Sequence, residues 1–441
     1  MSAKRPLVVH PGPSLVGSIR PPGDKSITHR ALLCGLLADG TTLIEGANPG
    51  EDCLATRRCA ETLGAVVEGP IETPQVRGTA GRLSAPAAPL DCGNSGTTLR
   101  LLAGVLAGQP FETVLRGDAS LSARPVDRVI EPLRRMGATL TAREGDRLPP
   151  LTVRGGTLRG MTFTHPTASA QVSSAILLAG VQATGLTGVT TAAGVRDHTV
   201  RILPAFGVPV EHRERSCGPL EIRLSGPCRL RGCRVQVPGD FSAAAFLLAA
   251  AAATPGSRVQ VKGVGLNETR IRLLEVLQDM GASVEVSGVG RLGEEPVGDV
   301  TVGGPAELSP GYIPADRAVA LLDEVPAWAI AASAARGLSR LRGADELRVK
   351  ESDRLGALAE GLGALGVRVE ETSGGLDIMG GPASGGTVDA RGDHRIAMAL
   401  ALVGLRATGP VRVEDAGCVA TSYPGFAADV RSLGARVEEV G

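Results

Sequence analysis

The chain has 441 residues with 46 basic and 46 acidic side chains and only nine aromatic ones, so neither a basic surface nor a ring platform is on offer for nucleic acid. Its length suits two domains of roughly 200 residues each, and its longest apolar run, Ala243 to Ala253, is too short to cross a bilayer. Eight cysteines without a CxxC pair read as core residues of a reducing compartment, and the first fourteen residues hold no apolar signal core, so a cytoplasmic protein is expected.

In chain order, a strand-like segment from Val16 to Arg20 stops at Pro21-Pro22, and the turn Gly23-Asp24 opens an Ala- and Leu-rich helix. A β-rich run from Gly40 to Ile44 follows. A bulky apolar residue, Gly, then Ala or Val recurs at glycines 64, 137, 207, 281, 366 and 434, spaced by 73, 70, 74, 85 and 68 residues. Each closes a helix-period stretch and precedes a strand-like run, so each reads as the left-handed residue past a helix end. Six repeats of helix, strand, helix, strand and a further strand are expected. Gly23-Asp24-Lys25-Ser26 is echoed 216 residues on by Gly239-Asp240-Phe241-Ser242, which divides the repeats three and three. Pro22 and Pro238 mark the crossings. Residues 1–22 and 238–441 are expected to form one discontinuous domain, with residues 23–237 inserted as the other.

Helix starts carry the chemistry. Asp24, Asn94, Asp240 and Asp393 can cap free N–H groups, and those groups with the helix dipole also suit an anion. For Gly239-Asp240-Phe241 capping alone suffices. Four lysines stand against 42 arginines, and Lys25 and Lys350 occupy charge-dense turns. A compact ammonium can meet a phosphate as a point charge or pass a proton, roles a planar guanidinium does not fill. Cys92 to Arg100 is a glycine-rich turn into a helix, carrying Asn94 and Gly96. Arg124 precedes Pro125 and so sits in an extended turn. Ser169-Ala170-Gln171 heads a further helix with neutral donors, while Arg196-Asp197-His198 reads equally as a surface ion pair. In the second half, Asp316 is a turn carboxylate after Pro314. The segment Arg348 to Arg354 packs five charges into seven residues, with Lys350 and Arg354 expected on one helix face and Glu351 beside them. Arg395 adds a cation at a helix start.

Gly23-Asp-Lys-Ser-Ile-Thr-His-Arg30, Gly93-Asn-Ser-Gly-Thr97, Gly117-Asp-Ala-Ser-Leu121 with Arg124-Pro125, Arg348-Val-Lys-Glu-Ser-Asp-Arg354 and Asp393-His-Arg395 run in order along essentially the whole chain. Together they resemble the 5-enolpyruvylshikimate-3-phosphate synthase family. The resemblance implies an α/β (α+β) fold of two domains, each of three βαβαββ repeats, around an interdomain cleft. It implies transfer of the enolpyruvyl group of phosphoenolpyruvate to the 5-hydroxyl of shikimate 3-phosphate, with release of phosphate and no metal or other cofactor, in the shikimate pathway to chorismate and the aromatic amino acids. Lys25, Ser26, Arg30, Ser169, Gln171, Arg196, Asp316 and Lys350 are the implied contacts of shikimate 3-phosphate. Lys25, Asn94, Gly96, Arg124, Gln171, Arg354 and Arg395 are those of phosphoenolpyruvate. Asp316 would take the hydroxyl proton and Glu351 would protonate the methylene carbon, with Lys25 assisting. One carboxyl must then act as acid while the other acts as base, and substrates bearing both phosphate and carboxylate need many fixed cations. The expected partners are these two small molecules, with no nucleic acid or membrane, and the expected state is a monomer.

Some positions depart from the family pattern. Thr421 stands where some relatives have lysine, and Ala170 where many have serine. Gly96 stands where a glyphosate-tolerant branch can carry alanine, so glyphosate is expected to compete with phosphoenolpyruvate. The related UDP-N-acetylglucosamine enolpyruvyl transferases begin with Lys-Asn and use a loop cysteine that has no counterpart here. A non-catalytic phosphosugar-binding protein would need neither Asp316 nor Glu351.

Overall fold

The computed structural model describes residues 5–164, 169–214 and 220–440. Their fold rests on helices buried on almost every side, mostly Ala and Leu beyond a polar first turn or two, with the sheets packed around them. In the first half these are Lys25–Leu37 (α1), Gly96–Ala107 and Ala170–Gly180; in the second they are Phe241–Ala253, Val325–Ala334 and His394–Val403. Helices such as Glu51–Thr62 (α2) bury one face only. We label Gly96–Ala107 α3. Small residues set the spacing: a Cβ at Gly104 would stand 2.2 Å from the carbonyl oxygen of Ala175, so α3 and the Ala170–Gly180 helix approach as closely as backbones can.

Among the described residues there are six sheets of four strands, and four of them run first, second, fourth, third in chain order. In one of them Leu90–Asp91 runs parallel to Glu112–Arg116, followed by antiparallel Leu148–Arg154 and Thr139–Ala142. The six repeat glycines all have positive φ, between +80° and +117°, which ends each helix and turns the chain into its next strand.

Three sheets are completed by strands distant in sequence. Val16–Ile19 pairs in parallel with Arg258–Gly265, Arg234–Gln236 pairs in parallel with Thr41–Glu45, and Leu7–Val9 fills the last sheet between Val411–Glu414 and Val437–Glu439. The chain thereby forms two compact units. One comprises the described residues of Met1–Pro22, Pro238–Arg291 and Pro296–Gly441; the other comprises Gly23–Val237 and Leu292–Glu295. The seven described cysteines are free thiols, and no helix among the described residues is long and apolar enough to cross a membrane.

Candidate functional site

In the Gly23–Val237 unit, the starts of the three buried helices are tied together by polar side chains. Each start has its own cap: Asp24 accepts from the Ile27 N–H, Ser95 from Thr98, and Ser169 from Val172. Lys25 leaves the first turn of α1 to meet Asp52 at 2.7 Å. Arg30, one turn later, donates to the hydroxyls of Thr199 (2.7 Å) and Ser174 (2.6 Å) and to the Ser26 carbonyl (2.8 Å). Burial pushes its pKa down to about 10, which still leaves it charged at neutral pH. Ser173, Ser174, Thr191, Arg196, Asp197 and Thr199 line a small recess beside it.

Around the α3 start, Arg124 is buried and in extended conformation, donating to the side-chain oxygen of Asn94 (2.5 Å), the Asn94 carbonyl (3.1 Å) and Ser120 (2.9 Å). Gln171 donates to Thr97 (2.9 Å) and accepts from Arg100 (2.8 Å). Gly96 is the first residue of α3, and a Cβ there would come within 2.5 Å of the Arg100 Nη1. Asn94 was expected as the cap of this turn. Its amide is instead engaged by Asp118 (2.8 Å) and Arg124, and the next residue, Ser95, caps.

In the other unit the focus is Arg354. It is 1% exposed and donates to Asp393 (2.8 Å), Glu351 (2.6 Å) and Asp323 (3.4 Å). Burial alone would lower its pKa; Asp393, Glu351 and Asp323 outweigh that and raise it. Asp393 also caps the His394–Val403 helix and accepts from Ser352 at 3.2 Å. Arg395 donates to the Asp323 carbonyl at 2.6 Å, and its other nitrogen lies 3.7 Å from the carboxylate. Desolvation lowers the pKa of Lys350, against the pull of Asp323 and Glu346, although its side chain keeps 28% exposure.

One sequence expectation changes here. Lys350 and Arg354 do not share a helix face: the helix begins at Arg354 because Asp353 caps it by accepting from Gly356, which leaves Lys350 and Glu351 in the preceding turn. Asp316 lies exposed on the short helix Ala315–Ala318, and no contact described for it reaches Arg354. The carboxylate against Arg354 and Arg395 is Asp323, half-buried just before the Val325–Ala334 helix. Its neighbour Glu324 is wholly buried and bonded to Ser242, which also accepts from Arg270 (2.7 Å); Arg270 pairs with Asp240 at 3.1 Å. The available sequence signal was the pair Asp323-Glu324 at the head of an apolar helix, where two acids exceed what a cap needs. Thr421 ends the short helix Ala416–Thr421.

Ordered cations and amide-rich turns in one unit, and an arginine gathering three carboxylates in the other, suit anionic ligands and proton transfer. A family model described as EPSP synthase (3-phosphoshikimate 1-carboxyvinyltransferase) matches residues 9–430. The chain belongs to this family. It is 46% identical over 423 residues to a 3-phosphoshikimate 1-carboxyvinyltransferase of Desulforamulus reducens, covering 95% of this chain and 97% of that one. It is 48% identical over 438 residues to that of Acidithiobacillus ferrooxidans, covering 98% of each. The structure of EPSP synthase from Acinetobacter baumannii matches with a TM-score of 0.86 at 40% identity, over 99% of this chain and all of that one. The enolpyruvyl transferase NikO from Streptomyces tendae, 20% identical with a TM-score of 0.80, shares the fold. As a member of the family the chain is an enzyme, a carboxyvinyltransferase, and the non-catalytic reading falls away.

Proposed function

We propose that the chain moves the carboxyvinyl group of phosphoenolpyruvate to the 5-hydroxyl of shikimate 3-phosphate and releases phosphate, as a cytoplasmic monomer. One unit supplies most of the anion contacts, and the other supplies the proton-handling carboxylates together with Lys350, Arg354 and Arg395. The observation that carries this reading is Arg354, a buried cation shared by Glu351, Asp323 and Asp393 and adjoining Arg395. Carboxylates so tightly placed serve proton transfer better than they serve adhesion, because a buried ion pair adds little net stability.

Lys25, Ser26, Arg30, Ser169, Gln171, Arg196 and Lys350 hold shikimate 3-phosphate. Lys25, Asn94, Gly96, Arg124, Gln171, Arg354 and Arg395 hold phosphoenolpyruvate. Arrival of two anions beside the Arg354 cluster favours keeping a proton on one carboxyl, and Glu351 delivers it to the methylene carbon. Positive charge develops at the adjacent carbon, the 5-oxygen attacks it, and the hydroxyl proton passes to Asp323. We assign this base role to Asp323 in place of Asp316 because Asp323 sits against the two arginines and Asp316 does not. The adduct then returns a methyl proton to Glu351, and the electron pair of that C–H bond forms the new double bond. The carbon–oxygen bond to phosphate breaks, and phosphate leaves beside Lys25, which Asp52 anchors, and takes up the proton that Asp323 received. Fixed cations stabilise the charge that moves in both steps.

Phosphate release tests the reading directly. With phosphoenolpyruvate and shikimate 3-phosphate the purified protein should release phosphate, and with UDP-N-acetylglucosamine as acceptor it should not. Release with the nucleotide sugar alone would overturn the assignment.

A further inference from the structure

Beneath the turn that opens α3 lies a chain of polar groups whose direction follows from counting hydrogens. His29 of α1, Thr56 of α2 and Thr98 of α3 are fully buried, and Ser95 is nearly so. The His29 Nδ1 lies 2.7 Å from the Thr56 hydroxyl, which lies 2.6 Å from the Thr98 hydroxyl. Thr98 in turn donates its hydroxyl hydrogen to Ser95 Oγ at 2.7 Å, and Ser95 Oγ also accepts the Thr98 N–H at 3.1 Å.

Each hydroxyl has one hydrogen to give. Thr98 spends its hydrogen on Ser95, so Thr56 must donate to Thr98, and His29 must donate from Nδ1 to Thr56. The Asp52 carbonyl, 3.4 Å from both threonine hydroxyls, is only a distant alternative acceptor. The His29 ring is then the Nδ1–H tautomer, with the Nε2 lone pair facing a buried space where no hydrogen-bond partner lies among the described residues. The reverse direction would bury an Nε2–H without an acceptor, and orphaned donors are the rarer and costlier kind. Burial, with Lys25 and Arg30 nearby, holds His29 well below its usual pKa, so the ring is neutral. Aligned hydroxyls polarise one another along the chain. At its end, the two hydrogens arriving at Ser95 Oγ fill its acceptor sites and leave its own hydrogen to donate.

We propose that His29 is a positioning residue which, through Thr56 and Thr98, fixes the Ser95 hydroxyl as a hydrogen-bond donor to an anion held in the turn Gly93 to Gly96. The proposal rests on the reading that phosphoenolpyruvate occupies that turn, and it adds a neutral donor to the cation Arg124. It also explains a buried histidine that no step of the transfer uses.

The direction of the chain is testable without activity. A long-range proton–nitrogen NMR spectrum of protein labelled with nitrogen-15 in its six histidines, assigned by the signal lost in His29→Asn, should show His29 protonated at Nδ1. Protonation at Nε2 would overturn the proposal. For its effect, Thr98→Val and His29→Leu should raise KM for phosphoenolpyruvate about tenfold, the scale of one lost hydrogen bond to a charged ligand. KM for shikimate 3-phosphate and kcat should stay within about twofold. His29→Asn, whose side-chain amide can still donate to Thr56, should restore most of the affinity lost in His29→Leu. An equal rise in both KM values, or no rescue by asparagine, would reduce His29 to a packing residue and sink the idea. A wild-type protein without carboxyvinyl transfer would instead overturn the functional reading, and the NMR result would still decide the direction.

Discussion

The two units treat their buried arginines in opposite ways. In the Gly23–Val237 unit, the hydrogen bonds described for Arg30 go to hydroxyls and a carbonyl, and those for Arg124 go to an amide oxygen, a carbonyl and a hydroxyl. In the other unit, Arg354 is bonded to three carboxylates. Hydroxyl, amide and carbonyl oxygens fix a guanidinium in place through hydrogen bonds that bring no formal countercharge with them. Carboxylate partners bring countercharge, and the arginine then also holds those acids in a defined geometry. The contrast sets a unit whose buried arginines are held by neutral groups against one whose buried arginine gathers the acids.

The largest effect should come from breaking the site that gathers the acids. Arg354→Met strands Asp323, Glu351 and Asp393 together, and about 3–5 kcal/mol of folding stability should be lost. Denaturant unfolding reads this, and a loss under about 1 kcal/mol would mean the carboxylates do not depend on that cation. Next is catalysis. Glu351→Gln and Asp323→Asn should each lower kcat by roughly 10² to 10⁴, whereas Asp316→Asn, exposed on its short helix, should leave it within about twofold. Steady-state phosphate release separates the two aspartates, and the opposite ranking would return the base role to Asp316.

Smaller effects concern the Gly23–Val237 unit. In Gly96→Ala the new methyl would push Arg100 from its place against Gln171, raising KM for phosphoenolpyruvate several-fold. With glycine at 96, glyphosate should compete with phosphoenolpyruvate, and an enzyme indifferent to millimolar glyphosate would mean that other residues set tolerance. The least effect is a pH slope. His29 has a lowered pKa in the folded state, while the unfolded chain takes up the proton near pH 6.5. Its contribution to stability is therefore complete above about pH 6.5 and lost as pH falls below it, by at most about 1.4 kcal/mol per unit. Thermal unfolding between pH 7.5 and pH 5 should fall less steeply in His29→Asn than in the wild type; equal slopes would mean the histidine titrates normally.

Much of this was legible in the sequence because it was local. The six repeat glycines announce positive φ by their position after helical periods, and all six have it. Asp24, Asp240 and Asp393 announce caps, and they cap. What stayed hidden depends on neighbours far away in the chain. Lys350 and Arg354 are spaced like helix partners, yet Asp353 between them starts a helix there and separates them. Asp316 follows a proline and looks like an isolated turn acid, while Asp323 gains its setting only when Arg354 and Arg395 fold against it. The link from His29 through Thr56 to Thr98 joins three helices, and no periodicity reports it.

The measurement that bears most directly on the division of labour is the dissociation constant for shikimate 3-phosphate, read by titration calorimetry in Arg30→Met and Glu351→Gln. Loss of the arginine should weaken binding at least tenfold, and loss of the carboxyl should change it less than about threefold. Binding that survives in Arg30→Met but collapses in Glu351→Gln would contradict the account.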